Sequence, residues 1–258
     1  MTDSSNRSDD ALPARSPWED EASNWLAWAR TPGHDVFPDF SPTFFDEIVP
    51  AAAGLTLEAG CGEGRVAREL AARGHRVVGL DVSPTLARHA RDAGAGPAYL
   101  AGDATALPFA DATFQTVVAY NSLQTMRELD DMARAVREAG RVLRPGGCLC
   151  LCVAHPMTDV GRLEQPDGGE IVISGSYFER QRVADTVMRD GLQITFHGWT
   201  YTLENYMRAL EGAGLLVERL REPRPGVEPT AATRHNLDRW RRVPMFLSIR
   251  ALKPGPAS

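Results

Sequence analysis

Residues 55–65 read LTLEAGCGEGR, and this stretch decides the fold of the chain. A short apolar run ends in Glu58 and opens into three alternate glycines, Gly60, Gly62 and Gly64, before a helix-like segment begins. Alternate glycines let the backbone turn sharply from strand to helix and bring a ligand close to the main chain. Glycine is also ordinary in turns, so the loop alone does not establish a ligand site.

Short apolar runs alternate with helical patterns after this loop, which indicates βαβ units and an α/β fold with a parallel sheet. The last two predicted strands follow each other without an intervening helix, so we expect the final strand to be antiparallel. We predict strands at 56–59, 75–81, 97–101, 113–119, 148–154, 215–221 and 244–252, and helices at 18–30, 42–49, 63–73, 83–93, 129–143 and 203–212.

The flanking segments differ from this regular pattern. Residues 18–30 form an amphipathic helix whose tryptophans, Trp18, Trp25 and Trp28, share one stripe; it either packs on the domain or acts as a lid over a ligand site. Residues 156–200 combine β-rich pieces with glycine-rich turns and suggest an insertion. The expected organisation is a disordered tail (1–17), a helical lid (18–50), a cofactor-binding core (51–155), an inserted cap (156–200), the rest of the core sheet (201–252) and a tail (253–258).

Composition restricts the function. The chain has 43% hydrophobic and 24% charged residues with a net charge of −6, which is typical of a soluble globular protein and argues against a nucleic-acid-binding surface. No stretch of the sequence resembles a signal peptide or a membrane span. Cys148, Cys150 and Cys152 alternate along one predicted strand and so share one face, which suggests buried core residues rather than a metal site. We therefore expect a cytoplasmic protein without a metal. A basic run near the end is interpreted as a solvated face: Arg234, Arg239, Arg241 and Arg242.

Polar residues follow several predicted strands at their carboxyl ends, where open parallel sheets bind ligands. Asp81 follows the second strand, and a carboxylate there suits the two adjacent hydroxyls of a ribose. Asp103 follows the third strand and suits an exocyclic amine such as that of adenine. The pattern predicts a ligand with a nucleoside part and a charged tail on the glycine loop.

The ordered segments LEAGCGEG, VVGLD, GDATALPF, FQTVVAYNSL and RVLRPGG resemble the motifs of class I S-adenosylmethionine-dependent methyltransferases. The resemblance is to the small-molecule enzymes of the methyltransferase-11 type and covers residues 55–153, with a weaker similarity in residues 203–223. It implies a Rossmann-like, seven-stranded, mostly parallel sheet with an antiparallel last strand and helices on both faces. One departure is Gln115, where the family usually has an acid.

The resemblance also implies roles for individual residues. The glycine loop, with Gly60, Cys61 and Gly62, would hold the methionine end of S-adenosylmethionine. Glu58 is either a solvated acid or a support that orients the loop or the cofactor ammonium, and we favour the support. S-adenosylhomocysteine would be the product. The remaining cofactor contacts would be Asp81 at the ribose, Val82, Asp103 and Ala104 at the adenine, and Asn121 and Ser122 beside the methionine.

We expect in-line methyl transfer to an oxygen, nitrogen or carbon of a small molecule, and a place in specialised metabolism. Such transfer needs mainly alignment and exclusion of water. If the acceptor is a hydroxyl, His155, directly after the fifth strand, is the candidate general base. Candidate residues for the acceptor pocket are Trp28, Arg30, His34, Phe37, Tyr177, His197 and Trp199, each of which is equally compatible with packing.

Three other functions are weighed against this one. The first is a methyltransferase-like cyclase or a protein that binds the cofactor without transferring its methyl group. The second is a nicotinamide-dependent dehydrogenase, which is disfavoured because Arg65 stands where its third glycine would fall. The third is a nucleic-acid methyltransferase, which the acidic balance disfavours. The sequence leaves the acceptor open, and also whether the chain is a monomer or a homodimer.

Overall fold

A computed structural model describes residues 16–158, 161–163, 170–173 and 175–255. Of the expected tails, residues 1–15 and 256–258 lie outside the described residues, whereas Pro17 begins a helix and the main chain of Lys253 is hydrogen-bonded to Gly146 and Gly147. The α-helices are α1 (Pro17–Asp20), α2 (Ala22–Arg30), α3 (Phe37–Thr43), α4 (Arg65–Ala72), α5 (Pro84–Asp92), α6 (Leu129–Val142), α7 (Leu203–Gly212), α8 (Ala231–Arg234) and α9 (Leu237–Arg242). A π-helical turn covers Phe44–Ile48 and a 3₁₀ turn covers Leu123–Thr125.

Seven strands form the main sheet: β1 (Leu55–Ala59), β2 (Arg76–Asp81), β3 (Ala98–Ala101), β4 (Phe114–Tyr120), β5 (Leu143–Ala154), β10 (Leu216–Arg221) and β11 (Phe246–Leu252). Their order is β10-β11-β5-β4-β1-β2-β3. The strands from β5 to β3 run parallel, and β11 is antiparallel to both of its neighbours, β5 and β10. This confirms the predicted α/β, Rossmann-like sheet with an antiparallel last strand. The strand order reverses between β1 and β4, where the glycine loop lies.

Period-2 alternation in β5 divides the core between the two sheet faces. Cys148, Cys150 and Cys152 are buried in one apolar cluster together with α3, α4 and the π-helical turn. The intervening residues, Leu149 among them, are buried in a second cluster with α6 and α7. The interpretation of these cysteines as core residues is confirmed.

Local sequence explains the helices beside the ligand edge. α4 buries Val66, Ala67 and Leu70 against the sheet, as predicted. α5 begins at Pro84, and the Ser83 hydroxyl oxygen accepts a hydrogen bond from the Leu86 amide at 3.1 Å. This is the predicted N-cap, which fixes the chain immediately after β2.

Several boundaries differ from the predictions. The predicted helix 18–30 is divided into α1 and α2 at Glu21, and the predicted helix 42–49 begins at Phe37 and ends in the π-helical turn. β5 starts at Leu143, which pairs with Phe114, and the Arg-Pro-Gly-Gly segment forms an irregularity before pairing with β4 resumes at Cys148. α8 and α9 were not predicted, since their four- and six-residue patterns are too short to show helical periodicity.

The insertion consists of two hairpins in its described part. β6 (Gly161–Leu163) pairs with β7 (Ile171–Ile173), and β8 (Arg182–Arg189) pairs with β9 (Leu192–Trp199). β9 packs against α2, where the Phe196 ring lies edge-on to Trp25 and Trp28. Over the described ranges, no helix has the length and apolar character needed to cross a membrane.

Candidate cofactor site

The glycine loop joins β1 to α4 in a conformation that requires glycine. Gly60, Gly62 and Gly64 have φ values of 83°, 54° and 85°. A Cβ atom on Gly60 would lie 2.4 Å from the Ser122 Cβ, so the loop and the segment after β4 are in direct contact. The amides of Gly60 and Cys61 donate to the Leu80 carbonyl at 2.7 and 3.0 Å. These two amides are therefore not available to a ligand, which would contact the open surface of the loop instead.

Asp81, at the end of β2, is 6% exposed and is held by two backbone amides. The Gly62 amide donates to Oδ2 at 2.7 Å and the Ser83 amide donates to Oδ1 at 2.8 Å. Burial raises the pKa of Asp81, and these two amides oppose that rise by favouring the charged form. Each carboxylate oxygen keeps a lone pair after accepting one amide, so Asp81 can still accept hydrogen bonds from a diol.

Glu58 lies beneath the loop and is 1% exposed. Its Oε2 is buried without a hydrogen-bond partner among the described residues. Burial, and next the charge of Asp81, raise the pKa of Glu58 well above its ordinary value. A cationic ligand group nearby would stabilise the charged carboxylate, which fits the predicted contact with an ammonium. Burial likewise raises the pKa of Cys61, which therefore remains a thiol.

The ends of β3 and β4 add polar groups at the same edge. Asp103 is exposed, and its Oδ1 accepts a hydrogen bond from the Thr105 amide at 2.8 Å. Asn121 has a φ of 54°, and its Oδ1 is buried without a partner within the described part of the chain. Ser122 Oγ donates to the Ala59 carbonyl at 2.8 Å. Val82 beside them is 50% exposed, as a residue that packs on a flat ligand would be.

We call these strand ends together with residues 60–65 and 81–86 the floor, and residues 17–37 together with the β8–β9 hairpin the roof. Three of the contacts between roof and floor come from α1 and α2. Glu19 of α1 accepts hydrogen bonds from the Ser83 hydroxyl and, at 2.7 Å, from the Thr85 hydroxyl. Trp25 Nε1 lies 3.4 Å from a Cβ built on Gly62. Arg30 forms an ion pair with Glu63 of the loop at 3.6 Å.

Arg65, the first residue of α4, makes a further link between roof and floor. It pairs with Asp35 at 2.5 Å, and both side chains are at most 20% exposed. Its guanidinium lies 4.2 Å from the Phe37 ring centroid and 4.9 Å from that of Trp25. The Phe37 ring also lies edge-on to Tyr120 at the end of β4. Phe37 therefore lies beside the end of β4, and its place in an acceptor pocket stays a prediction.

The turn of the β8–β9 hairpin holds the end of the N-terminal segment. Arg189 donates to the Gly33 and His34 carbonyls at 3.3 and 2.9 Å and lies over the Trp28 ring. The His34 ring lies edge-on to Trp28, with Nε2 3.6 Å from Asp190. Trp28 and His34 thus join the two parts of the roof.

The other predicted pocket residues divide into two groups. His197 lies against α1 and Glu21, within the roof. Tyr177 and Trp199 lie towards α7: Tyr177 Oη accepts a hydrogen bond from the Leu203 amide, and Arg180 stacks over Trp199. The structure does not bring these two side chains into the contacts between roof and floor.

His155 has both ring nitrogens engaged. Nδ1 accepts a hydrogen bond from the Met157 amide at 3.1 Å, and Nε2 lies 2.9 Å from Glu222. Burial lowers the pKa of His155, and Glu222 opposes that shift. This arrangement leaves no lone pair on the ring for a substrate proton, so the role of general base remains a prediction that the geometry does not favour.

Sequence reasoning missed Glu19, Asp35, Arg65 and Arg189 as residues that close the site. Their partners lie between 30 and 156 positions away in the chain. Arg65 directly follows the glycine loop, and this position in the sequence could have indicated that it helps to close the site. Nothing local distinguishes the other three from solvated charges.

Gln115, the departure from the family pattern, lies away from this edge. Its Nε2 donates to the Gly146 carbonyl at 3.1 Å, at the start of the sheet strands. The side chain therefore has a structural contact and no part in the floor.

A glycine loop after β1, a buried acid after β2 and a strand order that reverses between β1 and β4 define an α/β protein of the class I methyltransferase fold. Residues 57–151 match the family described as a methyltransferase domain. This part of the chain is a class I S-adenosylmethionine-dependent methyltransferase domain of the methyltransferase-11 type.

Individual relatives agree with this assignment. The chain is 42% identical over 98 residues to a malonyl-(acyl-carrier protein) O-methyltransferase of Erwinia pyrifoliae, covering 38% of this chain and 36% of that protein. A methyltransferase structure from Mesorhizobium loti aligns with TM-score 0.63 and 23% identity over 81% of this chain and 95% of that one. A structure described as a (4+2)-cyclase aligns with TM-score 0.54 and 19% identity over 83% and 80%. The aligned stretches span 36% to 49% of the first curated relatives.

Proposed function

We propose that this chain transfers the methyl group of S-adenosylmethionine to a small-molecule acceptor, with S-adenosylhomocysteine as the product. The observation that carries the proposal is the Asp81 carboxylate, fixed by the Gly62 and Ser83 amides beside a loop in which Gly60 and Gly64 leave no room for a side chain. A rigid carboxylate at the end of β2 is the group that a ribose diol requires.

The residues present fit this cofactor. Asp81 would bind the ribose, and the unpartnered acceptor atoms Glu58 Oε2 and Asn121 Oδ1 would receive the ammonium. Val82 would pack on the adenine, with Asp103 and Ala104 at its polar edge. When bound, the cofactor supplies a methyl group on a sulfonium, which is already activated for transfer.

The remaining task of the chain is to align two reactants and exclude water. The roof serves this purpose, because Trp25 covers Gly62 and Arg65 ties α4 to the segment after α2. Holding two reactants in the reactive geometry lowers a barrier by about 7–11 kcal/mol. Strong general-base catalysis is therefore not a precondition for transfer.

The acceptor named for the curated relatives, a malonyl group on acyl-carrier protein, is not carried over to this chain. The 98 residues aligned with the Erwinia protein are less than half of either chain, whereas the acceptor must contact the roof. A cyclase or a non-catalytic binder is the alternative, since the same fold occurs in a protein described as a cyclase.

Calorimetric titration with S-adenosylhomocysteine tests the cofactor assignment. We expect binding tighter than millimolar, and a loss of roughly 10- to 100-fold in Asp81→Ala, because a charge-assisted hydrogen bond contributes about 1.5–3 kcal/mol. Equal affinity of the wild type and Asp81→Ala would contradict the assignment. Tight binding with no consumption of S-adenosylmethionine across a panel of hydroxyl, amine and carbon acceptors would favour the alternative.

A further inference from the structure

Trp25 of the roof brings a hydrogen-bond donor to the glycine loop. Its indole Nε1 lies 3.4 Å from a Cβ built on Gly62 and has no acceptor in the described part of the chain. The side chain is partly exposed, and its ring is fixed by edge contacts with Trp18 and Phe196, at centroid distances of 6.1 and 6.3 Å. An immobilised N–H group with no partner of its own therefore lies against the surface of the loop.

Arg65 of the floor adds donors beside this indole. Its guanidinium lies 4.9 Å from the Trp25 ring centroid, and its Nη1 donates to Asp35 Oδ2 at 2.5 Å. A guanidinium carries five N–H groups in one plane, so Nε and Nη2 remain available to a further acceptor. Trp25 and Arg65 thus bring a neutral and a charged donor together, one from each side of the contact between roof and floor.

The main chain of the loop has little to offer an anionic ligand group. Four of the five amides in residues 60–64 already have acceptors within the protein: those of Gly60, Cys61, Gly62 and Gly64. Two neighbouring arginines, Arg30 and Arg68, are paired with Glu63 at 3.6 and 2.7 Å. A carboxylate at this loop must therefore take most of its hydrogen bonds from other side chains, and Trp25 and Arg65 have them to give.

The same region also holds the opposite charge. Glu58 Oε2, beneath the loop, is buried without a partner among the described residues. Burial, and next the charge of Asp81, raise the pKa of Glu58, whereas the charge of Arg65 opposes that rise. An acidic acceptor beneath the loop and two donors beside it complement a ligand group that carries both an ammonium and a carboxylate. The amino-acid tail of S-adenosylmethionine is such a group.

We propose that Trp25 Nε1 and the Arg65 guanidinium bind the carboxylate of this tail, so that the cofactor itself holds the roof against the glycine loop. The carboxylate accepts one hydrogen bond from the roof and one from the floor. The inference rests on the proposed methyl transfer and adds a specificity to its cofactor site, because an adenosine ligand without the carboxylate leaves the roof unattached. Cofactor and product share this carboxylate, so the roof opens when they exchange.

The test titrates the full chain calorimetrically with two ligands that differ only in the carboxylate: S-adenosylhomocysteine and its decarboxylated form, which keeps the ammonium. We expect the wild type to bind S-adenosylhomocysteine about 20- to 100-fold more tightly, as for a charged group that is hydrogen-bonded. Trp25→Phe keeps an aromatic ring and removes the N–H group. It should weaken S-adenosylhomocysteine binding by roughly 5- to 20-fold and change that of the decarboxylated form by less than about twofold.

Two further variants separate a ligand contact from a packing effect. Arg65→Met should also lower the affinity ratio of the two ligands, and Arg65→Lys, which keeps the positive charge, should restore part of it. Trp240 is the matched control, since Arg239 lies over its ring at 4.8 Å and the pair lies outside both roof and floor. Trp240→Phe should leave the affinity ratio unchanged.

Hydrogen exchange tests the attachment of the roof. At saturation, S-adenosylhomocysteine should slow amide exchange in α2, whereas the decarboxylated form should slow it only in residues 60–64 and 81–86 of the floor. Equal protection of α2 by the two ligands would overturn the inference, because closure of the roof would not depend on the carboxylate.

The inference is also overturned if the wild type binds the two ligands equally, or if Trp25→Phe weakens both by the same factor, since the indole would then act by packing alone. These outcomes leave the cofactor assignment intact. Failure of both ligands to bind would instead contradict the proposed function, and this inference with it.

Discussion

The floor and the roof of the site are built in different ways. The floor is held largely by main-chain amides whose partners lie about 20 positions away: the Gly60 and Cys61 amides on the Leu80 carbonyl, and the Gly62 amide on the Asp81 carboxylate. The roof is held by side chains whose partners lie far along the chain, such as Glu19 with Ser83 and Arg189 with the Gly33 carbonyl. A floor fixed by the main chain suits a constant cofactor, whereas a roof fixed by side chains can vary with the acceptor.

The largest expected effect is on the floor, in Gly60→Ala. The new Cβ would lie 2.4 Å from the Ser122 Cβ at a φ of 83°, so both overpacking and backbone strain apply. We expect a loss of about 3 kcal/mol in the free energy of unfolding, together with loss of S-adenosylhomocysteine binding. Urea denaturation and calorimetry measure the two effects.

Gly33→Ala is the matched control in the roof. Gly33 has a similar φ of 80° but no atom within 4 Å of a built Cβ. Only the backbone strain remains, so we expect the free energy of unfolding to fall by about 1 kcal/mol, with cofactor affinity retained. Equal losses in the two variants would show that close packing of the loop on Ser122 is unimportant.

The link between roof and floor should give an intermediate effect. Arg65→Met removes the ion pair with Asp35 from a site where both partners are mostly buried. We expect a destabilisation of about 1–2 kcal/mol and faster release of S-adenosylhomocysteine in stopped-flow measurements. A double-mutant cycle with Asp35→Asn should give a coupling energy of about 1 kcal/mol. Additive single effects would mean that the pair does not hold the roof.

Glu58→Gln tests the charge beneath the floor through its pH dependence. The pKa of Glu58 is raised in the folded state, so the unfolded chain releases this proton first, and the wild type loses stability as pH rises above the ordinary carboxyl range. The glutamine variant lacks this loss. We therefore expect the stability difference, variant minus wild type, to increase between acidic and neutral pH in thermal unfolding. A flat or falling difference would contradict the raised pKa.

The smallest effect is expected at Gln115, which lies at the opposite end of the sheet strands from the cofactor site. Gln115→Met removes one partly exposed hydrogen bond to the Gly146 carbonyl, which should cost about 0.5 kcal/mol or less. S-adenosylhomocysteine affinity should stay unchanged in calorimetry. A clear loss of affinity would mean that the family's usual acid at this position matters for the cofactor.

The same contrast explains what the sequence could predict. The floor follows local rules: glycines at positive φ, an acid at a strand end, and the cap formed by Ser83 and Pro84. These signals are short-range, so the sheet, the turn at the glycine loop and the position of Asp81 at the end of β2 were predicted correctly. The contacts of these residues with a cofactor stay a prediction. The seven ordered strands followed from hydrophobic periodicity together with the order of the motifs.

The roof could not be predicted in the same way. Glu19 was one of several acids in a polar segment, and only the tertiary fold brings it to Ser83. His155 was a reasonable candidate because it follows β5, but its ring bonds the Met157 amide and faces Glu222. His197 was included only as a pocket residue, since nothing local shows that its Nδ1 would be buried without a partner.

Hydrogen exchange measured with and without S-adenosylhomocysteine tests most directly whether floor and roof enclose one cofactor. We expect slower amide exchange in residues 60–64 and 81–86 of the floor, and also in α2 and β9 of the roof. Unchanged exchange in residues 60–64 and 81–86 at saturating ligand would contradict the cofactor site. Protection confined to the floor would contradict a roof that closes over it.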